Sequence, residues 1–423
     1  MNYRDVLIDS FRAAVSAADP AKIVPRFLPP APVGRTLVVG AGKAAAAMAA
    51  AVEQHWHTDS PLTGTVITRY GHNLPTSRIR VVEAGHPVPD AAGEAASSEI
   101  LQQVRSLGPD DLLLVLISGG GSSLLSLPAA GITMSDLKHV TQQLLRSGAA
   151  IQEMNTVRKH LSSIQGGQLA AASRAPVHAL IISDVTGDDP THIASGPCAP
   201  DPTRFRDALD ILDQYDVHPG EAVMRRLTDG AAGEIPETPK PGDPLFKRVA
   251  NTVIGSAHTS LWAAAASLET HGVSAVILGD TVTGEAREVA KPYAALVRQI
   301  RQHRLPWPPP VALLTGGECT VTVKDGGHGG RCTEFLLSLG IELADSENVW
   351  AIACDTDGID GSEDNAGAVL TPGTIQSIRA QGMDPKKLLA QNNSWAAFNA
   401  TDDLVNTGPT LTNVNDYRAI LIT

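Results

Sequence analysis

At 423 residues the chain exceeds what one ordinary hydrophobic core supports, so two domains are the default. Hydrophobic residues make up 43% and charged residues 18%, enough apolar mass for two cores, and the net charge of −12 argues against nucleic acid as the main partner. An anionic small molecule stays compatible with that charge, because a local pocket can be positive on an acidic protein. Cys198, Cys319, Cys332 and Cys354 are widely spaced with no C-x-x-C pair, which indicates reduced thiols and a cytoplasmic setting. No apolar stretch approaches the roughly 18 residues that span a bilayer, so no membrane is expected.

The first twenty residues carry acids and no continuous apolar core, and read as an amphipathic helix, not a signal peptide. After a Pro-rich connection comes TLVVGAGKAAAAMAAAVEQHW, a strand, a glycine turn and an Ala-rich helix. Gly40-x-Gly42-x-x-Ala45 fits the permissive dinucleotide fingerprint. The next strand, GTVITRYG, ends on Arg69 where a nicotinamide site wants an acid, which disfavours NAD and leaves NADP open. Lys43 stands at the helix start, where a cation is unfavourable unless an anion shares the site; otherwise it is a solvent-facing lysine. Gly85-His86-Pro87 follows a further strand, with His86 either a base or an ordinary loop histidine.

Leu112–Ile117 is an unbroken apolar run, which reads as a strand buried on both faces. It stops at Ser118-Gly119-Gly120-Gly121-Ser122-Ser123, whose glycines let backbone N–H groups turn into an anion-holding concavity and whose serines add donors. A tight turn with no ligand is the plainer reading. Further on, Arg158, Lys159 and His160 either serve a phosphate or form a solvated face, and the solvated face is preferred. HALIISDVTGDDP gives a second buried strand with an acidic end, where Asp184, Asp188 and Asp189 suit Mg²⁺ or, in part, Asx-turns.

Prolines 236, 239, 241 and 244 mark residues 236–248 as an interdomain linker between domains at 1–235 and 249–423. Beyond it βα units resume, so a second parallel or mixed sheet is expected. Residues 311–323 repeat the strand-plus-glycine pattern at Gly316 and Gly317, with a hairpin reaching Thr322 and Val323. Arg331 follows glycines at a helix start. WAIACDTDGIDGSEDN is another buried strand ending in acids, Asp355, Asp357, Asp360 and Asp364, and it lacks the terminal Glu of a calcium loop.

Each half thus has one strand ending in glycines and one ending in aspartates, and ligands of parallel sheets sit beyond such ends. Phosphate-holding and metal-holding ends together are the equipment of phosphoryl transfer. The chain has no G-x-x-x-x-G-K-[ST], V-A-I-K or H-R-D, so a kinase here is neither P-loop nor protein-kinase-like. An NADP-dependent reductase and a non-catalytic organic-acid binder are the alternatives, and neither needs the acidic strand ends.

GAGKAAAAMA, SGGGSSLL, SDVTGDDPTHIASGP, GEAREVA, TGGECTVTV, GGR, DTDGIDG and TGPTLTNVND, in this order, resemble the class II glycerate kinases. That family has a C-terminal MOFRL-type domain and includes members named hydroxypyruvate reductase. The resemblance runs from about Gly40 to Asp416. It implies a Rossmann-like, doubly wound N-terminal α/β domain, a second α/β domain and an active-site cleft between them. It implies ATP and Mg²⁺ as cofactors and D-glycerate as the small-molecule substrate, phosphorylated usually at the 2-hydroxyl, and leaves room for a homo-oligomer. The family's catalytic Lys falls on Lys43, its Arg on Arg331 and its Asp within 184–189, here Asp184 and Asp189. Nucleotide is then expected at Gly40, Gly42, Ser118, Gly119, Gly120, Gly121, Ser122, Ser123, Gly316 and Gly317, and metal at Asp184, Asp188, Asp189, Asp355 and Asp357. One departure concerns Cys332-Thr333-Glu334, where the family usually carries Asn-Gln-Glu.

Overall fold

A computed structural model describes residues 2–324, 326–344 and 346–423. The chain divides into two compact α/β units, Pro20–Ile254 and Met1–Asp19 with Gly255–Thr423. The first is built on β1 (Thr36–Ala41), β2 (Leu62–Arg69), β3 (Ile79–Ala84), β4 (Leu112–Ile117), β5 (Val177–Ile182) and β6 (Val249–Gly255), in the order β3-β2-β1-β4-β5-β6. The pairs β1/β2, β2/β3, β1/β4 and β4/β5 are parallel. β1 and β4 are buried at every position, as their apolar runs require. On this doubly wound sheet the order reverses between β1 and β4, so their C-terminal ends meet at the switch point where such sheets hold ligands.

Helices cover this sheet for identifiable reasons. Ala45–His55 is an alanine run whose small side chains allow close approach, and Ala45, Ala46, Met48, Ala49 and Val52 are buried. Ala91–Arg105 begins at Asp90, which accepts the Gly93 N–H at 3.0 Å, and Ile100, Leu101 and Val104 share a core with Leu37, Val39 and Val115. Four further helices, Met134–Ser147, Ile151–His160, Phe205–Gln214 and Glu221–Ala231, close around Leu144, Val157, Phe205, Leu212 and Leu227.

The second unit holds β7 (Ser274–Gly279), β8 (Gly284–Glu285), β9 (Val311–Thr315), β10 (Cys319–Thr320), β11 (Val349–Asp355), β12 (Gly367–Leu370), β13 (Leu404–Val405) and β14 (Asp416–Ile422). Its main sheet runs β13-β12-β11-β14-β9-β7 and is mixed, with β7/β9 parallel and the other pairs antiparallel. β11 is nearly all apolar although both its neighbours are antiparallel, because helices cover both faces of the sheet.

The domain boundaries differ from the expected 1–235, 236–248 and 249–423. Helix Tyr3–Ala17 belongs with the C-terminal unit, packing Val6, Leu7, Phe11 and Ala14 with Leu261, Ala264 and Leu268 of helix Ala257–Thr270. Ser10 Oγ also meets Tyr417 Oη at 2.7 Å. The proline segment is tied down: Asp201 N donates to Pro239 O at 2.8 Å, Thr238 Oγ1 to Asp201 Oδ2 at 2.9 Å, and Arg248 Nη2 to Ser173 O at 2.6 Å. Proline removes a backbone donor and disfavours helix interiors and ladders but does not prevent anchoring of the segment, whose Pro244 even begins a short 3-10 helix, so composition alone made a strap resemble a linker. Among the described residues the segment after Gly317 forms no hairpin of the expected kind; β10 pairs with β8 in parallel, and Thr322 N donates to Glu285 Oε1 at 2.9 Å.

Candidate active site

The two glycine turns at the switch point have different fates. At the end of β1, Gly42 N donates to Ile67 O (3.1 Å), Lys43 N to Gly119 O (2.8 Å), Ala44 N to Ser118 Oγ (3.0 Å) and Ala45 N to Gly42 O (3.1 Å). The donors a dinucleotide would need are therefore spent on the protein. Gly40 and Gly42, expected at the nucleotide, instead allow close approach: a Cβ on Gly40 would lie 2.0 Å from Leu116 O, and one on Gly42 2.1 Å from Ser118 Oγ. Ser118 is fully buried and pins this junction.

The turn after β4 is open. Among the described residues, the N–H groups of Gly119, Gly120 and Ser122 have no protein acceptor. Gly120 has φ +80°, and a Cβ there would meet the His86 ring at 2.8 Å. His86, one of the two readings left open by sequence, thus lies on the loop. The backbone of Lys43 is held to Gly119, which places this half-buried lysine beside the same turn. Ser123 Oγ donates to Gly120 O at 3.0 Å and shapes the loop from within.

From this turn a polar chain leads inward. Ser122 Oγ meets Ser195 Oγ at 3.0 Å, Ser195 Oγ donates to Asn155 Oδ1 at 3.2 Å, and Arg158 Nη1 reaches the same oxygen at 3.4 Å. Ser122, Ser123, Ser126, Thr141, Arg158 and Gln165 line a cavity of about 190 Å³, with Pro87, Val88, Leu137 and Leu145 as an apolar side and Lys138 also present. A more open groove of about 520 Å³ lies at the N-terminal ends of β2 and β3, remote from the switch point.

Arg158, Lys159 and His160 are not a solvated face. Successive helical residues point about 100° apart, so three in a row cannot share one side, and this was the signal available in the sequence. Lys159 and His160 are buried, with Lys159 Nζ 3.4 Å from Asp201 Oδ1 and His160 Nε2 3.4 Å from Glu237 Oε2. Burial presses the Lys159 ammonium down from its ordinary value and the Asp201 charge opposes it. Arg158 differs: burial pushes it down too, but among the described residues no carboxylate faces it, and its contacts are Thr141 Oγ1 (3.5 Å) and Asn155 Oδ1.

Asp184 follows β5, beside β4, and the loop beyond it returns to the glycine turn, where a Cβ on Gly121 would meet Ala194 Cβ at 2.6 Å. Asp189 accepts the Thr191 N–H at 2.9 Å; burial acts to raise its carboxyl, but Thr191, His192 and Lys159 bring it below the usual range. Asp188 sits at φ +53°. Among the described residues no three side chains of His, Cys, Asp or Glu converge as a preformed metal site, and within its own unit neither the group Asp184, Asp188 and Asp189 nor the pair Asp355 and Asp357 forms one.

In the C-terminal unit the structure closes the site expected at Arg331. This residue starts helix Arg331–Glu342, and its guanidinium meets Asp416 Oδ1 (2.6 Å), Glu318 Oε1 (2.6 Å) and Asp355 Oδ2 (2.7 Å). Burial works against its charge, and these carboxylates hold it well above its ordinary value. Asp416 also accepts from Arg418, whose Nη1 donates to Gly316 O at 3.0 Å, while Asp416 N donates to Gly317 O at 3.1 Å. Gly316 and Gly317 thereby serve this framework. Asp355, expected at a metal, is committed to Arg331 and to the Asp357 N–H (3.0 Å), and Asp357 Oδ1 accepts from Ile359 N (2.9 Å). Asp360 caps the helix, accepting from Cys332 N (2.9 Å), Thr333 N (2.9 Å) and Thr333 Oγ1 (2.8 Å), and burial pushes its carboxyl up to about 6. Glu334 is fixed by Arg287 Nε at 2.7 Å and Asn392 Nδ2 at 3.0 Å.

The sequence matches the profile described as "Domain of unknown function (DUF4147)" over residues 6–228 and that of the MOFRL family over 311–416. It is 50% identical to a protein of Agrobacterium vitis named putative hydroxypyruvate reductase, over 99% of this chain and 94% of that protein. It is 40% identical to the glycerate 2-kinase of Pyrococcus horikoshii, over 92% of this chain and 88% of that protein. The crystal structure of glycerate kinase from Thermotoga maritima superposes with a TM-score of 0.88 at 36% identity, covering 100% of this chain and 99% of the other.

Proposed function

This chain belongs to the class II glycerate kinase family, and from that premise we propose that it transfers the terminal phosphoryl group of ATP to the 2-hydroxyl of D-glycerate. The observation that carries the reading is the turn after β4, where Gly119, Gly120 and Ser122 keep their N–H groups for a ligand and the Lys43 backbone is held at 2.8 Å. Donors fixed before the reaction stabilise charge on the migrating group without reorganisation, and a lysine suits it as a point charge. Carboxylate oxygens of Asp184 and Asp189 are hard donors that fit Mg²⁺, which takes one or two carboxylates together with phosphates and water. Bound there, Mg²⁺ would neutralise phosphate charge. Arg331 enters this reading as a positioning residue, since its three carboxylate contacts leave it no free fork. Four buried free thiols suit a reducing, cytoplasmic setting.

A second reading, NADP-dependent hydroxypyruvate reduction, draws on the Rossmann strand order and on the name of the Agrobacterium vitis relative. The spent donors of the β1 turn weigh against it. Purified protein decides between them: ATP consumption with D-glycerate is expected, and NADPH oxidation with hydroxypyruvate is not. Phosphorus NMR of the product separates 2-phosphoglycerate from the 3-isomer. Lys43→Met is expected to lower kcat about 100- to 1,000-fold, as loss of a charge contact costing roughly 3–4 kcal/mol does; near-wild-type turnover would remove Lys43 from the reaction.

A further inference from the structure

We propose that the cavity beside the open glycine turn is the seat of the acceptor's carboxylate, and that Arg158 is the residue that grips it. This assignment rests on the glycerate kinase reading and adds to it the place and the chemistry of the substrate's acid group. The first ground is charge. On a chain of net charge −12, the described lining residues of this cavity include Arg158 and Lys138 and no Asp or Glu. A pocket of that composition selects an anion.

The second ground is the state of Arg158 itself. Among the described residues its guanidinium has two hydrogen-bond partners, both neutral oxygens at the long end of hydrogen bonding, at 3.4 and 3.5 Å. Arg331, by comparison, has its three carboxylates within 2.7 Å. A half-buried guanidinium without a counter-ion bears a desolvation cost that a planar, bidentate carboxylate offsets.

The third ground is placement. Ser122, Ser195 and Asn155 join Arg158 to the glycine turn in an unbroken chain of polar contacts, so a carboxylate on Arg158 and a phosphoryl on the turn would be held at a set spacing. At about 190 Å³ the cavity matches a small acid better than a nucleotide, whose sites are usually 300 Å³ or more. Gln165 commits its amide hydrogens to Ser122 O (2.9 Å) and Leu125 O (3.2 Å), which leaves its side-chain carbonyl to accept from a ligand hydroxyl. The class of ligand is therefore a short hydroxycarboxylic acid.

Calorimetry of D-glycerate in the presence of a non-hydrolysable ATP analogue tests this. Arg158→Gln is expected to weaken glycerate binding at least tenfold while analogue affinity changes less than twofold, and uncharged glyceramide should bind wild type as poorly as glycerate binds the variant. Unchanged glycerate affinity overturns the assignment. So does a loss confined to the analogue, which would make the cavity a nucleotide-phosphate pocket. Should Arg158→Gln fail to fold, Lys138→Glu, at a half-buried position of helix Met134–Ser147 lining the same cavity, is expected to weaken glycerate several-fold, and no change there also overturns it. Arg158-dependent glycerate binding without ATP turnover in wild type would sink the kinase reading and keep the subsite. Normal turnover and KM for D-glycerate in Arg158→Gln would do the reverse.

Discussion

Arg331 and Arg158 are both shielded arginines beside glycine-bearing strand ends, and they differ in what faces them. Arg331 meets Glu318, Asp355 and Asp416, and Asp416 is shared with Arg418. Arg158 meets a threonine hydroxyl and an asparagine carbonyl. A cation whose counter-ions are built into the fold is spent on architecture, whereas one left with neutral partners is available to an anion arriving from solution. Lys159 stands between them, with Asp201 as its counter-ion and Asp201 shared among Thr203, Thr238 and the proline strap. The two glycine turns repeat the contrast in neutral groups, with donors used up after β1 and kept after β4.

Removing the built-in cation should break the comparison most visibly. Arg331→Ala takes a counter-ion from the buried Asp355 and Asp416, leaving Asp416 to Arg418 and Asp355 with the neutral Asp357 N–H, and is expected to cost roughly 3–5 kcal/mol in denaturant unfolding, with Arg331→Lys recovering little because a point charge cannot serve three carboxylates. Asp201→Asn approaches the same contrast from the acid side. It leaves Lys159 buried and unpaired, at an expected cost of about 3 kcal/mol, and loosens residues 236–248 to proteolysis. Wild-type stability and intact 236–248 in that variant would show that the strap does not depend on the ion pair.

Asp360 gives a pH test. Its folded value is raised to about 6, above the unfolded value near 3.9, so the group favours the fold when protonated. Its contribution is full below the unfolded value and is lost as the pH rises through about 6. The stability of wild type relative to Asp360→Asn should therefore fall by about 1 kcal/mol between pH 5 and pH 7.5, and a flat difference would mean that the helix-start hydrogen bonds outweigh burial. The smallest effect is expected at Arg158. Arg158→Gln loses two long hydrogen bonds and relieves an uncompensated charge, so unfolding should stay within roughly 0.5 kcal/mol of wild type. A loss as large as that of Arg331→Ala would erase the distinction between the two arginines.

Much of the scaffold was legible along the chain. The apolar run Leu112–Ile117 is β4 from end to end, and the alanine run after Lys43 is a helix. These features follow from local periodicity, which a neighbourhood of a few residues determines. The direction of β11 was not legible, since a strand covered on both faces reads alike in parallel and antiparallel sheets. Nor was the strap at 236–248, whose anchor is Asp201.

What the sequence by itself determined is the set of elements, their α/β order and the kinds of chemistry at the strand ends. Only the tertiary structure decided which of those groups remain available. Ser118 closes the first glycine turn from 74 positions away, and Asp416 neutralises Arg331 from 85 positions away. The physical reason is that a hydrogen-bond donor or a charge is spent by whichever partner lies within about 3 Å in space, and spacing along the chain carries no record of that distance.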